Sequence, residues 1–159
     1  MILQSVNELA FKPSCIISMV PSQTELLYHL GLDKEVKGIT KFCVHPAEWR
    51  KTKMIVGGTK NITPGVIKKI CPDLIIANKE ENEKAQIEVL AKDYNIWLTD
   101  VTNLQDALQM IKDVGELTGT DVKANELANK IEISFNDLVV PVKKTRTCYL
   151  IWDKPYMTV

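Results

Sequence analysis

Short apolar runs alternate with helix-like segments along the chain, and this alternation constrains the fold more than any other feature. The clearest run is "LIIAN" at residues 74–78, which follows Pro72 and Asp73. Its continuous apolar character is typical of a strand that is buried on both faces. Similar runs cover residues 15–20, 35–40, 54–58, 96–100 and 147–152. The pattern therefore predicts an α/β fold, with a Rossmann-like parallel sheet flanked by helices.

Helix signals stand between these runs. "SQTE" at residues 22–25 has the form of a capping box and predicts a helix through Leu30. Thr63-Pro64 predicts an N-cap followed by proline at the first helical position. Residues 83–94 carry a helical apolar stripe, and Asn103 is expected to cap a helix that ends at Gly119. These signals place a helix after each of the runs at residues 15–20, 54–58, 74–78 and 96–100.

The last helical segment differs from the others in length. It begins at Thr120 or Asp121 and runs to about residue 138, nearly twice the length of the other predicted helices. Such a helix suits a connection between two lobes. We therefore expect an N-terminal α/β lobe at residues 1–119, a connecting helix at 120–140 and, at 145–159, the first strand of an incomplete second lobe. The alternative is that the strand at 147–152 extends the edge of the one sheet.

Charge and hydropathy exclude several partners. Lys+Arg and Asp+Glu both number 20, so the net charge is +0 and no nucleic-acid partner is expected. No apolar run reaches about 18 residues, the length of a membrane-spanning helix. The first residues, "MILQSVNELAFKPS", have no basic region before an apolar core and so do not form a signal peptide. On these features the protein is cytoplasmic, or its leader lies outside this sequence.

The cysteines have wide, irregular spacing and form no CxxC pair, which argues against a structural zinc site. Cys15 and Cys148 lie in apolar runs and Cys71 ends a helical one, so we expect all three to be core thiols. No metal held by the protein alone and no cofactor are predicted.

In an open parallel sheet, ligands bind outside the carboxyl ends of the strands. Polar residues that packing does not explain follow the predicted strands at these ends. The segments concerned are residues 21–25, 40–46, 57–61, 78–82 and 100–103. We therefore expect them to form one binding rim.

Cys43 and His45 place a thiol and an imidazole two residues apart on this rim. Residues two apart in an extended loop point the same way, so one metal could contact both. A complete metal site needs further ligands, and a Cys–His nucleophilic pair needs a third orienting group and an oxyanion hole. The pair thus has three interpretations: a ligand-facing rim loop, plain structure, or a metal or catalytic site. Ser22 is interpreted as a capping residue and Gly57-Gly58 as a tight turn or a point of close ligand approach.

Five stretches, taken in order, resemble the substrate-binding proteins of bacterial ABC importers for cobalamin and iron–siderophore complexes. They are "IISMVPSQTELLYHLGL", "VKGITKFCVHP", "VGGTKN", "PDLIIANKEEN" and "WLTDV". The resemblance implies a two-lobed α/β protein whose lobes are joined by one long helix, with the ligand in the cleft between them. It implies no enzymatic activity and no cofactor. The implied partners are a membrane permease and a small-molecule metal chelate, either a corrinoid or a ferric siderophore.

The resemblance also assigns residues by position. Acidic residues near the helix after "PDLIIA" would dock on permease arginines, and here these are Glu80, Glu81 and Glu83. If the ligand is a corrinoid, His45 is a candidate axial contact to the metal that the ligand carries. The residues that would face the ligand are Pro21, Ser22, Gln23, Phe42, Cys43, His45, Gly58, Thr59, Lys60, Asn78 and Lys79.

Two further expectations follow from the resemblance. It implies a periplasmic or membrane-associated protein, although the features of the N-terminus leave a cytoplasmic one open. A single lobe would expose a cleft face that its second lobe covers, so either a homodimer through that face or weak ligand binding is expected. The alternative function is a small cytoplasmic α/β enzyme that uses Cys43 and His45 in corrinoid or metal-chelate chemistry.

Overall fold

A computed structural model of the chain describes residues 1–139, 143 and 145–158, and its main feature is one parallel sheet. The sheet has six strands in the order β1-β6-β5-β2-β3-β4, and every neighbouring pair is parallel. The α/β prediction is confirmed. The strands are β1 (Ile2–Leu3), β2 (Ile16–Ser18), β3 (Val36–Ile39), β4 (Met54–Ile55), β5 (Leu74–Asn78) and β6 (Ile96–Thr99).

Helices cover both faces of the sheet, because right-handed crossovers between parallel strands place them there. A short 3-10 helix at Val6–Glu8 follows β1. The α-helices are α1 (Pro21–His29), α2 (Ala47–Thr52), α3 (Pro64–Ile70), α4 (Lys84–Leu90), α5 (Leu104–Thr118) and α6 (Asp121–Asn136).

The central strand β5 shows how the core is divided. Leu74 and Ile76 pack on the face that α1, α5 and α6 cover, whereas Ile75 and Ala77 pack on the face of α3 and α4. All four side chains are fully buried. The continuous apolar run predicted from the sequence therefore contributes to both cores. Burial of a large apolar side chain stabilises the fold by about 1.5–3 kcal/mol.

Several predicted helix boundaries are confirmed. The Asn103 Oδ1 accepts a hydrogen bond of 3.0 Å from the Asp106 N–H and so caps α5. Gly119 ends α5 with φ +64°, and Gly31 follows α1 with φ +85°, which are left-handed values that favour glycine. The predicted capping box is wrong. Helix α1 begins two residues earlier than the box implies, at Pro21, because proline at the first helical position lacks the N–H that a cap would satisfy.

The last helix was predicted to be nearly twice as long as the others, and this prediction is also wrong. Helix α6 has 16 residues and α5 has 15. The two helices pack closely through small residues, with Ala124 and Ala128 buried against α5. Beyond them, Phe135 and Leu138 are exposed. Residue 140, where the predicted connecting helix ends, lies outside the described residues.

The strand predicted at 147–152 does not join the main sheet. Strand β7 (Leu150–Trp152) pairs with β8 (Met157–Thr158) in an antiparallel hairpin. The alternative that the strand at 147–152 extends the main sheet is therefore wrong. One edge of the main sheet is instead β1, a strand that was not predicted. The proposed division at residues 1–119, 120–140 and 145–159 stays a prediction; of these, residues 140 and 159 are outside the described part.

The cysteines are arranged differently from the expectation. Cys71 and Cys148 are exposed and Cys15 is only partly buried, so the assignment of these three as core thiols is wrong. Cys71 occupies the left-handed residue that ends α3, at φ +53°, where the chain turns outward before β5. The buried thiol is Cys43, which has no exposed surface.

Candidate functional site

The strand order places a crevice between β2 and β5. From β2 the chain adds β3 and β4 on one side, and then returns to add β5 and β6 on the other side, where the first strand, β1, forms the outer edge. Such a reversal separates the loops that leave the carboxyl ends of the two central strands, and ligands bind in this crevice in open α/β sheets. We call the segments at this edge the rim, defined as residues 19–25, 40–46, 57–61, 78–82 and 100–103.

A buried asparagine joins three loops of the rim. Asn82 is 6% exposed, and its Oδ1 accepts a hydrogen bond of 2.9 Å from the Asn78 N–H. Its Nδ2 donates to the carbonyls of Thr59 at 2.9 Å and Met19 at 3.4 Å. Since a buried amide that loses such partners costs about 1–3 kcal/mol, Asn82 fixes the relative positions of these loops. Sequence reasoning did not single it out, although the four-residue spacing from Asn78 was a visible signal.

The Cys43 thiol holds the rim from beneath. It lies 3.1 Å from the Thr24 hydroxyl and 3.2 Å from the Thr40 hydroxyl. The backbone turns here, since the Cys43 N–H donates to the Thr40 carbonyl at 3.1 Å, and this turn directs the thiol inward. The expectation that the Cys43 side chain faces a ligand is therefore wrong for this lobe. Burial of this thiol also gives no support to the nucleophile that the enzyme alternative required, because reactive cysteines are usually accessible.

A second buried group lies at the ends of β5 and β6. Gln23 is 3% exposed, and its Nε2 donates to the Thr99 hydroxyl. The Asn78 Nδ2 donates to the same oxygen at 3.2 Å, and the Thr99 hydroxyl donates to the Ala77 carbonyl at 3.0 Å. The Gln23 Oε1 accepts no hydrogen bond within the described residues. Gln23 was predicted to contact ligand, and it lies instead below the surface of the rim, as do Gly58 and Thr59.

Phe42 is the aromatic group that the rim exposes. Its side chain is 51% exposed, and the Lys41 Nζ lies 5.1 Å from its ring centroid. Gly58 packs against this ring, because a Cβ at Gly58 would lie 3.2 Å from it. The Lys41 N–H donates to the Gly57 carbonyl at 2.8 Å, which joins the two loops. The predicted contacts Ser22, His45, Lys60 and Lys79 are exposed as well, and Pro21 and Asn78 are partly exposed.

Charged residues lie at the β5 and β6 end of the rim. The Lys79 Nζ is 2.7 Å from the Asp100 Oδ2, with both side chains about half exposed. Hydrogen bonds from the Thr102 hydroxyl and backbone lower the pKa of the neighbouring Asp106. The acids predicted to dock a permease, Glu80, Glu81 and Glu83, are all exposed. The Asn78 Oδ1 accepts from the backbone N–H groups of Glu80 at 2.9 Å and Glu81 at 3.2 Å, so this acidic loop has a defined conformation.

A cavity of about 290 Å³ adjoins this end of the rim. Ile2, Ile87 and Leu98 form its apolar wall, and Asn78 and Lys79 lie at its polar side. The cavity opens because β1 is short and leaves part of β6 uncovered. Among the described residues, no group of three or more His, Cys, Asp or Glu side chains is arranged to hold a metal ion. No helix within the described ranges is both long and apolar enough to span a membrane.

Comparison with known proteins identifies relatives of this chain. An uncharacterized ABC transporter substrate-binding lipoprotein, YvrC of Bacillus subtilis, is 29% identical over 132 residues, which are 80% of this chain and 41% of that protein. A vitamin B12-binding protein of Photorhabdus laumondii is 27% identical over 127 residues, 79% of this chain and 46% of its own length. The chain thus spans less than half the length of these relatives.

Comparison with solved structures confirms the fold. The periplasmic vitamin B12 binding protein BtuF of Vibrio cholerae aligns with a TM-score of 0.82 and 22% identity, over 94% of this chain and 60% of that one. The family model described as periplasmic binding protein matches residues 16–154, which run from the first residue of β2 to the hairpin of β7 and β8. This match covers most of the chain and includes every loop of the rim, so the chain belongs to the periplasmic binding protein family.

Proposed function

We propose that this chain forms the first lobe and connector of a solute-binding protein that delivers a corrinoid or another metal chelate to an ABC permease. The observation that carries the proposal is the rim itself. It joins an exposed aromatic ring, supported by Lys41 and Gly58, to a buried polar layer that fixes the loops. Family membership and the names of the relatives support the same function. The proposal gives the chain no catalytic role.

The ligand class follows from the chemistry of the exposed layer. Phe42 offers a flat apolar face of the kind on which a macrocycle packs, and the exposed side chains of Ser22, Lys60 and Lys79 supply hydrogen-bond donors on other loops of the rim. Donors suit the amide and carboxylate oxygens at the edge of a corrinoid. A ferric siderophore would use the same donors with less benefit from the ring. We therefore put a corrinoid first and a ferric siderophore second.

Titration calorimetry with cyanocobalamin, cobinamide and a ferric catecholate chelate tests this proposal. Phe42→Ala is expected to weaken corrinoid binding by about tenfold, since a stacked aromatic contributes about 0.5–1.5 kcal/mol beyond its area. Phe11→Ala is the matched control, because Phe11 is 50% exposed but lies outside the rim. No binding of any of the three ligands to the wild-type chain, or equal losses in both variants, would contradict the proposal.

His45 is proposed as an axial contact to a metal carried by the ligand. Its side chain is exposed on the same loop as Phe42 and forms no hydrogen bond within the described residues. An imidazole bound to cobalt changes the visible spectrum of a corrinoid, so mixing with aquocobinamide is expected to shift the spectrum in the wild type and not in His45→Ala. His29→Ala, an exposed histidine of α1, is the control. Identical spectra for wild type and His45→Ala would remove the axial role and leave the binding proposal intact.

The acidic loop is proposed as the permease-docking surface. Glu80, Glu81 and Glu83 are exposed, and the defined backbone around Asn78 presents them together. Opposite charges on a permease would steer association and form charge-assisted hydrogen bonds. Glu83→Lys is expected to slow association with the reconstituted cognate permease without altering ligand affinity, whereas Glu116→Lys, exposed on α5, leaves association unchanged. An unaltered association rate for Glu83→Lys would contradict this assignment.

Association of two copies through the rim face is a further part of the proposal. The support is the exposed apolar surface there, which Phe42 shares with Val44 at 46% exposure. Sedimentation equilibrium is expected to show a weak dimer that cobinamide dissociates. A monomer at every concentration measured would contradict it.

A further inference from the structure

Two cysteines approach each other at the amino edge of the sheet, opposite the rim. Cys15 precedes β2, and Cys71 lies between α3 and β5, the strand that pairs with β2. The Cys15 Sγ lies 3.5 Å from the Ile70 carbonyl oxygen. That oxygen belongs to the peptide that leads into Cys71, and standard backbone dimensions place it about 2.8 Å from the Cys71 Cα. The Cys15 sulfur is therefore within about 6 Å of the Cys71 Cα.

The backbone on both sides is held in place by hydrogen bonds. The Asp73 N–H donates to the Cys15 carbonyl at 2.9 Å, and the Asp73 carboxylate accepts from the Cys15 N–H at 3.0 Å. The same carboxylate accepts from the Ser14 N–H at 2.8 Å. The Cys15 sulfur contacts the peptide that precedes Cys71, and the proposed bond requires a Cα separation of about 4.4–6.8 Å and rotation of the exposed Cys71 side chain toward Cys15.

The two thiols differ in accessibility. Cys71 is exposed, whereas Cys15 is partly buried and its Sγ caps a helix carbonyl. Burial raises the pKa of Cys15, and the negative charge of Asp73 raises it further. Because the thiolate is the nucleophile in disulfide exchange, Cys71 is the residue that meets an external oxidant first.

We propose that Cys15 and Cys71 are an oxidation site that forms an intramolecular disulfide with a low-molecular-weight or protein disulfide as oxidant. The Cys71 thiolate attacks the oxidant's S–S bond, forms a mixed disulfide and releases one thiol. The Cys15 thiolate then attacks the Cys71 sulfur, which forms the Cys15–Cys71 bond and releases the second thiol. The two cysteines lose two protons and two electrons in total, and the oxidant gains both as two thiols.

This site is separate from the proposed function. The bond would join the start of β2 to the end of α3, and the rim lies at the other ends of the strands. Oxidation is therefore expected to raise the Tm, because a cross-link restricts the unfolded chain, while ligand affinity stays unchanged.

The experiment is incubation of the full chain with oxidised glutathione, followed by peptide mapping. All samples carry Cys148→Ser, because Cys148 is the other exposed thiol of the described residues. The parent protein is expected to lose two hydrogen atoms and to yield a Cys15–Cys71 peptide. The Cys15→Ser variant is expected to stop at a stable glutathione adduct on Cys71, and Cys71→Ser to remain reduced at Cys15.

Three results would overturn the proposal: a stable Cys71 adduct in the parent protein, a linkage of Cys71 to Cys43 or between two chains, or a parent that stays reduced. Circular dichroism of both serine variants before oxidation shows whether they are folded. A thermal shift gives the second measurement, since the Tm is expected to rise on oxidation of the parent only. A rise of equal size in Cys15→Ser would also contradict the disulfide.

Discussion

The two edges of the sheet carry polar groups of different kinds. At the amino edge, the Asp73 carboxylate accepts hydrogen bonds from the backbone that leads into β2. The Lys53–Asp33 ion pair of 3.0 Å joins the segments that precede β3 and β4. At the carboxyl edge, the polar groups form a buried layer around Asn82 and Thr24 beneath an exposed layer around Phe42. The difference indicates that polar contacts at the amino edge stabilise the fold, whereas those at the carboxyl edge position a surface.

The largest effect that separates the two edges is expected from Asp73→Ala. This change removes the acceptor of the Ser14 and Cys15 N–H groups, and hydrogen bonds to a charged acceptor contribute about 1.5–3 kcal/mol. The free energy of unfolding in urea is expected to fall by about 3 kcal/mol, with no change in corrinoid affinity. Asp93→Ala, an exposed acid before β6, is the control. A loss of affinity equal to the loss of stability would break the comparison.

Asn82→Ala is expected to affect both properties. It leaves the Asn78 N–H and the Thr59 carbonyl without their buried partner, which costs about 2 kcal/mol of unfolding free energy. It also frees three rim loops, so the affinity for cyanocobalamin falls. Urea unfolding and calorimetry measure the two effects, and Asn125→Ala, exposed on α6, serves as the control. Unchanged affinity in a destabilised Asn82→Ala variant would show that the buried layer does not position the site.

A smaller effect is expected at low pH from Lys53→Met. Hydrogen bonding and charge from Lys53 hold the pKa of Asp33 below its ordinary value. A lowered carboxyl pKa contributes stability above the unfolded-state pKa, and this stability is lost as the pH falls through the folded-state pKa. In the variant the pKa of Asp33 is expected to rise, and the acid-dependent part of the unfolding free energy to shrink. Carbon-13 NMR titration of Asp33 measures this, with Lys92→Met as the control; an unaltered titration would contradict the assignment.

The smallest change in stability is expected from Phe42→Ala. The ring is 51% exposed, and surface substitutions usually alter the unfolding free energy by about 0.5 kcal/mol or less. The same variant is expected to lose ligand affinity, which sharpens the contrast between the exposed layer and the layer beneath it. Urea unfolding of Phe42→Ala beside Phe11→Ala tests it. A loss of more than about 1 kcal/mol for Phe42 alone would place the ring among the stabilising contacts.

The sequence predicted those parts of the fold that depend on local signals. The run at residues 74–78 is β5 with the same bounds, because a continuous apolar segment between turn residues leaves few alternatives. Asn103 and the glycines at 31 and 119 were assigned correctly, since caps and left-handed residues act within one turn of the chain. The family resemblance was likewise visible in the loops after the strands, and it is confirmed.

What the sequence could not predict depends on distant contacts. Strand β1 has two residues and exists through its pairing with Ile96 and Trp97, far along the chain. The short helix α2 was missed, and it is stabilised by Trp49, which is buried in the core. The predicted direction of the Cys43 side chain was wrong, because a backbone turn with Thr40 and contacts with the Thr24 and Thr40 hydroxyls determine it. At the site, the exposure of the charged side chains could be predicted from the sequence, whereas the burial of Gln23 could not.

The contact between α5 and α6 has a mechanical consequence. A Cβ at Gly115 would lie 2.3 Å from the Ala124 Cβ, so the helices approach this closely because a single methyl group is missing. The first half of α6 is clamped there, while Ile133 near its end is 59% exposed. From Ala124 to its end at Asn136 the helix is about 18 Å long, so a tilt of about 10° at the clamp would move its end by about 3 Å. Gly115 thus works as the fulcrum of a lever, and its lack of a side chain sets the angle at which α6 leaves α5.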